Sequence, residues 1–501
     1  MKFEFASDAR ALHAGSHLLV LAPKAAFGAR GRLAPMLRKL VGERADLVMA
    51  LGEEAAPGLL GGNATSRFDA KHRVTVGALA DVVSRHADAA RSEGIKKCVG
   101  AAGLAGDARH AVLLILDDAG HLLAAANAVG KALPRFTRKS KAKTGGVVTI
   151  VAATRDGTVL PWPVETVAVV ELAREAAELV DTPPTELDPA TFATAAKKLL
   201  RTCKGVKVTE LVGDALAANG LGGIHAVGRC AKSAPRLLVA QFGATKGAGK
   251  KSAKAKTAKP TEHIALVGKG VTYDTGGLHI KARGAMETMK ADMGGAAAVL
   301  GAFVALCRAG VDGPLSLVLC LAENAIGPNA YKPDDILTMH SGKTVEINNT
   351  DAEGRLLLAD GCSWAVRKLG ASTVLDAATL TGAQGVATGD AHAAVVSNDD
   401  TVEIALVEGG RHSGDLCWPL PFAPEYYRSE FASPIADMRN SVKNRSNAQV
   451  SCAAEFVHWH LDGTDAKWGH VDLASPAFRN NRGTGFGVAL LVAAVRRLRH
   501  G

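Results

Sequence analysis

Asn349-Thr350-Asp351-Ala352-Glu353-Gly354-Arg355-Leu356 continues a stretch, Val345 to Asn349, that alternates apolar and polar residues in the manner of a strand. Carried two to four residues further, that extended form points Asp351, Glu353 and Arg355 to one side. Residues on the same side of a strand lie roughly 6.5–7 Å apart, so two flexible carboxylates can converge on cations spaced about 3.5–4 Å apart. The same residues also carry a plainer reading. Thr350-x-x-Glu353 has the spacing of a capping box for a helix running through Leu356, Leu357, Leu358, Ala359, Trp364 and Val366.

Two upstream segments weigh against coincidence. In Val267-Gly268-Lys269-Gly270-Val271-Thr272-Tyr273-Asp274-Thr275-Gly276-Gly277, a lysine and an aspartate bracket the end of the apolar strand Ile264-Ala265-Leu266-Val267. A glycine-rich turn there lets backbone approach a ligand. In Lys290-Ala291-Asp292-Met293-Gly294-Gly295, the aspartate precedes a helix with Val299, Leu300, Phe303, Val304 and Cys307 on its apolar face. A carboxylate at a helix N-terminus is its simple alternative.

Together with Asp181-Thr182-Pro183-Pro184, Lys281, Met289 to Gly295 and Ala378-Thr379-Leu380-Thr381-Gly382-Ala383, these motifs resemble the signatures of the leucyl (cytosol) aminopeptidase family over most of residues 170 to 501. The resemblance implies a dinuclear metal site in which Asp274 and Glu353 bridge two divalent ions. Asp351 completes one position, and Lys269 with Asp292 the other. It implies amide hydrolysis by a metal-bridged hydroxide, with Lys281 bonding the developing oxyanion and Arg355 holding a bicarbonate that shuttles the proton to the leaving amine. Met289, Thr379, Gly382, Ala474 and Ala477 then surround the first side-chain pocket, with the Leu380 backbone at the reacting centre and Asp292 holding the substrate amine. A methionine, a threonine methyl and alanines make an apolar pocket that suits leucine or methionine.

Four carboxylates and one amine form a mostly hard ligand set suited to Mn²⁺ or Mg²⁺, and Zn²⁺ also accepts oxygen and nitrogen donors. A lysine ligates only as the neutral amine, which requires nearby dications to depress its pKa. His279 stands where the family usually has serine, and Arg135-Phe136-Thr137-Arg138 matches the usual N-terminal element loosely. With Ala322-Glu323-Asn324, Gly327-Pro328-Asn329 and the Cys452-Ala453-Ala454 region, these features look closer to the aminopeptidase-like branch than to the archetypal cytosolic enzyme. The resemblance also implies a homohexamer. The chain's own contribution to that expectation is apolar material such as Phe486 to Val495.

The fold class expected is α/β with two domains. Residues 1–162 form a smaller N-terminal α/β domain with strands at Leu18–Leu21, Ala111–Leu116 and Val147–Val151. Residues 163–180 form a connecting helix stopped by Asp181-Thr182-Pro183-Pro184. Residues 181–501 form the catalytic domain, with a mixed, largely parallel sheet flanked by helices. Its strands include Leu237–Ala240, Ile264–Val267, Leu315–Leu321 and Thr373–Leu375, and the acidic residues fall at strand ends, where open α/β sheets keep their sites.

The 501 residues are 48% hydrophobic and 22% charged, enough for large cores. Met1 to Arg30 lacks a continuous apolar stretch, and no apolar run reaches about 18 residues, so neither a secretory signal nor a membrane span is expected. Eight scattered cysteines without a Cys-x-x-Cys pair read as free thiols of a cytoplasmic, reducing compartment. The net charge of +10 is concentrated in Lys131 to Lys143 and in the low-complexity insertion 246–260, and the rest is near neutral. A solvated loop is the default for such a tract, and nucleic-acid binding is the rival reading.

Other motifs fail. Gly247-x-Gly249 and Gly268-x-Gly270 lack the third glycine of a dinucleotide fingerprint, and Leu337 replaces the first glycine of a phosphate loop before Gly342-Lys343-Thr344. There is no Gly-x-Ser-x-Gly elbow and no His-Glu-x-x-His helix. His458-x-His460 reads as packing or surface rather than ligation.

Overall fold

The computed structural model describes residues 1–28, 33–104, 106–142, 145–243 and 262–500. The lysine-rich insertion 246–260 lies outside the described residues. The chain divides into two compact units, residues 1–174 with 410–416, and residues 175–409 with 417–501. The helix Val164–Asp181 carries the first division along its length.

The N-terminal unit holds a six-stranded sheet in the order Lys2–Phe5, Val147–Thr154, Arg109–Leu116, His17–Pro23, Arg73–Leu79, Gly62–Arg67. All neighbours are parallel except the last pair. Its inner strands are apolar and buried almost throughout, as a parallel sheet covered on both faces requires.

The catalytic unit is built on eight strands in the order Cys417–Pro419, Ala393–Ser397, Lys467–Asp472, Thr373–Ala378, Ile264–Asp274, Leu315–Asn324, Arg236–Phe242, Lys207–Val212. The central four are mutually parallel, and antiparallel pairings flank them on both sides. This is the mixed, largely parallel sheet expected from the pattern of strands and helices.

Ile264–Asp274 is its axis, with Ile264 through Thr272 all buried. Gly268 explains how a helix lies so close to it. A Cβ there would come within 2.6 Å of Ala296 Cα, so glycine on the strand and alanine on the helix Gly294–Ala309 set the spacing. That helix, extended back to Met289, is long and apolar enough to cross a membrane, but 89% of its most apolar window is buried inside the molecule. It is a core helix.

The C-terminal helix Val488–His500 packs on the same core helix, and Val488 through Val495 are buried there. This corrects the expectation that Phe486 to Val495 offers apolar surface for assembly: that surface is spent within the subunit. All eight cysteines are free thiols.

Asp360 fastens the helix Gly354–Arg367 in place. Fully buried, it accepts backbone N–H bonds from Gly223 at 2.8 Å, Ile224 at 3.0 Å and His340 at 2.8 Å. Burial lifts its pKa to about 7 against those donors. Asp360→Ala leaves three buried donors without an acceptor, so unfolding free energy is expected to fall by about 3 kcal/mol. A lowered urea midpoint at unchanged slope would register the loss.

Candidate metal centre

Four segments converge at the carboxyl ends of the parallel strands. Lys269 and Asp274 come from Ile264–Asp274, Asp292 closes the short 3-10 helix Met289–Ala291, Asp351 lies in a turn, and Glu353 is the N-cap of Gly354–Arg367. Oxygens of Asp274, Asp351 and Glu353 lie within 4.8 Å of one another. Lys269 Nζ stands 2.6 Å from Asp292 Oδ1 and 3.0 Å from Glu353 Oε1, and donates to Thr379 O at 2.8 Å. Lys281 Nζ stands 2.7 Å from Asp274 Oδ2 and 2.5 Å from Asp351 Oδ1. Each ammonium therefore contacts two carboxylates and offsets one of their two charges.

The route by which Asp351 and Glu353 meet differs from the strand reading. The strand spans only Thr344–Glu346, and Glu353 already has helical angles, φ −75° and ψ −37°. Asn440 Oδ1 accepts the N–H groups of Asn348 and Asn349 at 3.0 and 3.1 Å, so this backbone bonds a side chain in place of a neighbouring strand. The capping box does not form either. Thr350 Oγ1 donates to Gly276 O at 2.7 Å and accepts from His279 N–H at 2.8 Å, leaving the Glu353 carboxylate to face Lys269. Gly354 makes room for that lysine, since a Cβ there would sit 2.5 Å from Lys269 Cε.

Burial and charge act in opposition here. Burial alone would lower the lysine pKa values, but the carboxylates around them win: Asp292, Glu353 and Asp274 hold Lys269 above the ordinary lysine value, and Asp274 and Glu353 do the same for Lys281. Burial raises Asp292, Asp351 and Glu353 above the usual carboxylate range, and neighbouring carboxylates add to it. Burial pushes Arg355 down to about 10.

The group faces a cleft of about 860 Å³. Lys269, Asp274, Lys281, Met289, Asp292, Asp351, Glu353, Arg355, Thr379, Leu380, Gly382 and Ala474 all line it. Ala477 does not. It is 3% exposed and lies behind the wall, where a Cβ on Gly294 would come to 3.3 Å from it. His458 and His460 pack on aromatic rings, as expected, His458 against Phe422 and Trp468 and His460 against Phe456.

Sequence reasoning missed the residues that hold the ligands in place. Asn324 Nδ2 donates to Asp274 Oδ1 at 2.8 Å and Thr350 O at 3.1 Å, and Tyr331 Oη donates to Thr350 O at 2.6 Å. Asn440 Nδ2 adds bonds to Asn349 O and Ala352 O. A signal existed for Asn324, which ends the strand beside Asp274 in register.

The carboxylates fit divalent cations. Asp292 Oδ2 and Glu353 Oε2 are buried without a hydrogen-bond partner, an arrangement that is costly unless a cation is brought to them.

Residues 174–492 match the family model for the cytosol aminopeptidase family catalytic domain, and residues 47–142 match the M17 aminopeptidase N-terminal domain 2. The chain belongs to the cytosol aminopeptidase family. It is thereby a metal-dependent hydrolase of the leucyl aminopeptidase type. The probable aminopeptidase NPEPL1 of Homo sapiens is 44% identical over 432 residues, covering 84% of this chain and 79% of that one. Leucyl aminopeptidase from Trypanosoma brucei in complex with bestatin is 34% identical with a TM-score of 0.86, over 99% of this chain and 95% of that one. The bottromycin maturation enzyme BotP in complex with Mn is 28% identical with a TM-score of 0.75, over 97% of this chain and 100% of that one. Several relatives are named probable cytosol aminopeptidases.

Proposed function

We propose that this chain removes the N-terminal residue, preferably leucine or another apolar residue such as methionine, from peptides in the cytoplasm. The observation that carries the reading is the meeting of Asp274, Asp351 and Glu353 within 4.8 Å beside the pair Lys269 and Asp292, in one cleft. Asp274 and Glu353 would bridge two divalent ions, Mn²⁺ or Zn²⁺ with Mg²⁺ as an alternative; Asp351 would complete one position, and Lys269 and Asp292 the other. When bound, the pair supplies an activated water and polarises the scissile carbonyl.

The protein's own side chains do the rest. Asp292 accepts from the substrate's free α-amine, which an internal peptide bond lacks, so only N-terminal residues are oriented for attack. Lys281 donates to the oxygen that gains charge in the transition state. Arg355 makes one hydrogen bond among the described residues, to Asn440 O at 3.0 Å. Its remaining donors suit a small anion, and bicarbonate there would carry the proton to the leaving amine. Met289, Thr379, Gly382 and Ala474 form the apolar side-chain pocket, with Leu380 supplying backbone at the reacting centre. Ala477 supports that pocket from behind. The family's homohexamer is the assembly we assign to it, with light scattering as the check.

Chelator-stripped protein is expected to release anilide from leucine anilide only after Mn²⁺, Zn²⁺ or Mg²⁺ is returned, and Asp351→Ala is expected to release none. Failure of every metal across a panel of N-terminal residues would overturn the reading.

A further inference from the structure

We propose that Asp472 is a positioning residue that fixes the width of the first side-chain pocket, and through it the preference for leucine over smaller first residues. The inference rests on the aminopeptidase reading and adds to it the group that holds the pocket's two walls together.

Those walls come from different loops. Thr379, Leu380 and Gly382 follow the strand Thr373–Ala378, and Ala474 follows its parallel neighbour Lys467–Asp472. The ladder between the two strands ends at Ala378 and Asp472, with one further backbone bond from Leu473 N–H to Ala378 O at 2.8 Å. Beyond it, side chains take over. Asp472 is fully buried, and its Oδ1 accepts the N–H groups of Leu380 at 3.1 Å and Ala474 at 3.2 Å, while Oδ2 accepts the Thr381 hydroxyl at 2.7 Å. One carboxylate thus bonds both loops. Every one of these contacts is a donor, which suits an acceptor-only group.

A second tie runs beside the first. Thr381 is the N-cap of the short helix Gly382–Thr388, and its hydroxyl accepts Gln384 N–H at 3.1 Å. Gln384 Oε1 in turn accepts Ser475 N–H at 2.7 Å, and its Nε2 donates to Gly389 O at 3.0 Å and His392 O at 2.8 Å. The loops also close on the core helix Gly294–Ala309, since a Cβ on Gly294 would lie 3.2 Å from the Thr379 methyl and 3.3 Å from Ala477 Cβ. Thr379 reaches the charged group as well. Its carbonyl accepts from Lys269 Nζ at 2.8 Å and its hydroxyl donates to Asp292 Oδ1 at 2.8 Å. A shift of Leu380 therefore moves the pocket wall and the carbonyl beside Lys269 together. An apolar pocket tells side chains apart only while its walls stay in contact with them, because a gap of about 0.5–1 Å forfeits roughly a quarter to a half of the dispersion attraction. Leucine reaches those walls and alanine reaches them less.

Metal-loaded wild type, Asp472→Asn, Thr381→Val and Thr381→Ser are compared on leucine anilide and alanine anilide. The leucine-to-alanine ratio of kcat/KM is read within each enzyme, so that any loss of folded protein cancels. The ratio is expected to fall about fivefold in Asp472→Asn and in Thr381→Val, almost wholly through leucine, and to stay within about twofold of wild type in Thr381→Ser, which keeps the hydroxyl. If Asp472→Asn does not fold, the two Thr381 variants carry the test. An unchanged ratio in the first two variants, or an equal loss on both anilides, would overturn the proposal and reduce Asp472 to a support of the fold. A ratio lost in Thr381→Ser and kept in Thr381→Val would assign the effect to the threonine methyl and overturn it too. Absence of turnover of both anilides by wild type would instead remove the aminopeptidase reading, and the pocket with it.

Discussion

Glu353→Gln is expected to lower kcat by at least about 10³-fold, roughly 4 kcal/mol of lost transition-state stabilisation, while the metal-free protein melts at least as high as wild type. The two halves of that expectation have one cause. Glu353 is 2% exposed, its carboxylate shares its surroundings with Asp274 and Asp351, and burial and those charges raise its pKa. Holding it ionised at neutral pH therefore opposes folding, with Lys269 at 3.0 Å offsetting part of the cost. Glutamine keeps the volume and removes the charge, which relieves the crowding and weakens the ligand proposed to bridge the cations. Anilide turnover and calorimetric melting of the stripped protein are the measurements. A variant retaining more than a tenth of wild-type turnover would remove Glu353 from the ligand set.

The residues that meet at the candidate site were legible because each lies inside a short contiguous motif: Lys269 and Asp274 on one strand, Asp292 before one helix, Asp351 and Glu353 two residues apart. The local path between them was not. Alternation from Val345 to Asn349 reads as a strand, but whether it continues depends on what pairs with it, and the partner turns out to be the side chain of Asn440, distant in sequence. Thr350 shows the same limit. Its spacing to Glu353 satisfies a capping box, yet its hydroxyl is claimed by Gly276 and His279 from another segment. The burial of Phe486 to Val495 had the same cause, since an apolar helix face looks alike whether a subunit or its own core covers it. The strands at the sheet's centre were found from their apolar runs. Cys417–Pro419 and Ala393–Ser397 at its edge span three and five residues, too short a run to mark a strand.

His279 stands where the resemblance leads one to expect a serine, and the structure gives it a place. Its Nδ1 accepts from Thr350 N–H at 3.1 Å and its own N–H bonds Thr350 Oγ1, so it pins the loop carrying Lys281 to the residue before Asp351. The His279 ring therefore bears on how firmly the loop carrying Lys281 is held.

Lys281→Met is expected to lower kcat by about 10²–10³-fold with little change in KM, and at the same time to tighten divalent-ion binding. The first effect follows from its proposed role, since removing one donor to a developing oxyanion costs about 3–4 kcal/mol in the transition state and little in the ground state. The second follows from where the ammonium rests in the metal-free chain, 2.7 Å from Asp274 Oδ2 and 2.5 Å from Asp351 Oδ1, with its pKa held up by Asp274 and Glu353 against burial. Those oxygens belong to proposed ligands, so an ion entering the site would compete with Lys281 for them. Methionine keeps most of the length and withdraws the competitor. The stripped variant should consequently melt below stripped wild type, because Asp274 and Asp351 are left facing each other, and the gap should close as Mn²⁺ is titrated in. Titration calorimetry and melting curves read these two effects apart from turnover. Weaker ion binding in the variant would mean that Lys281 supports the metal site, and its assignment to the oxyanion would then be withdrawn.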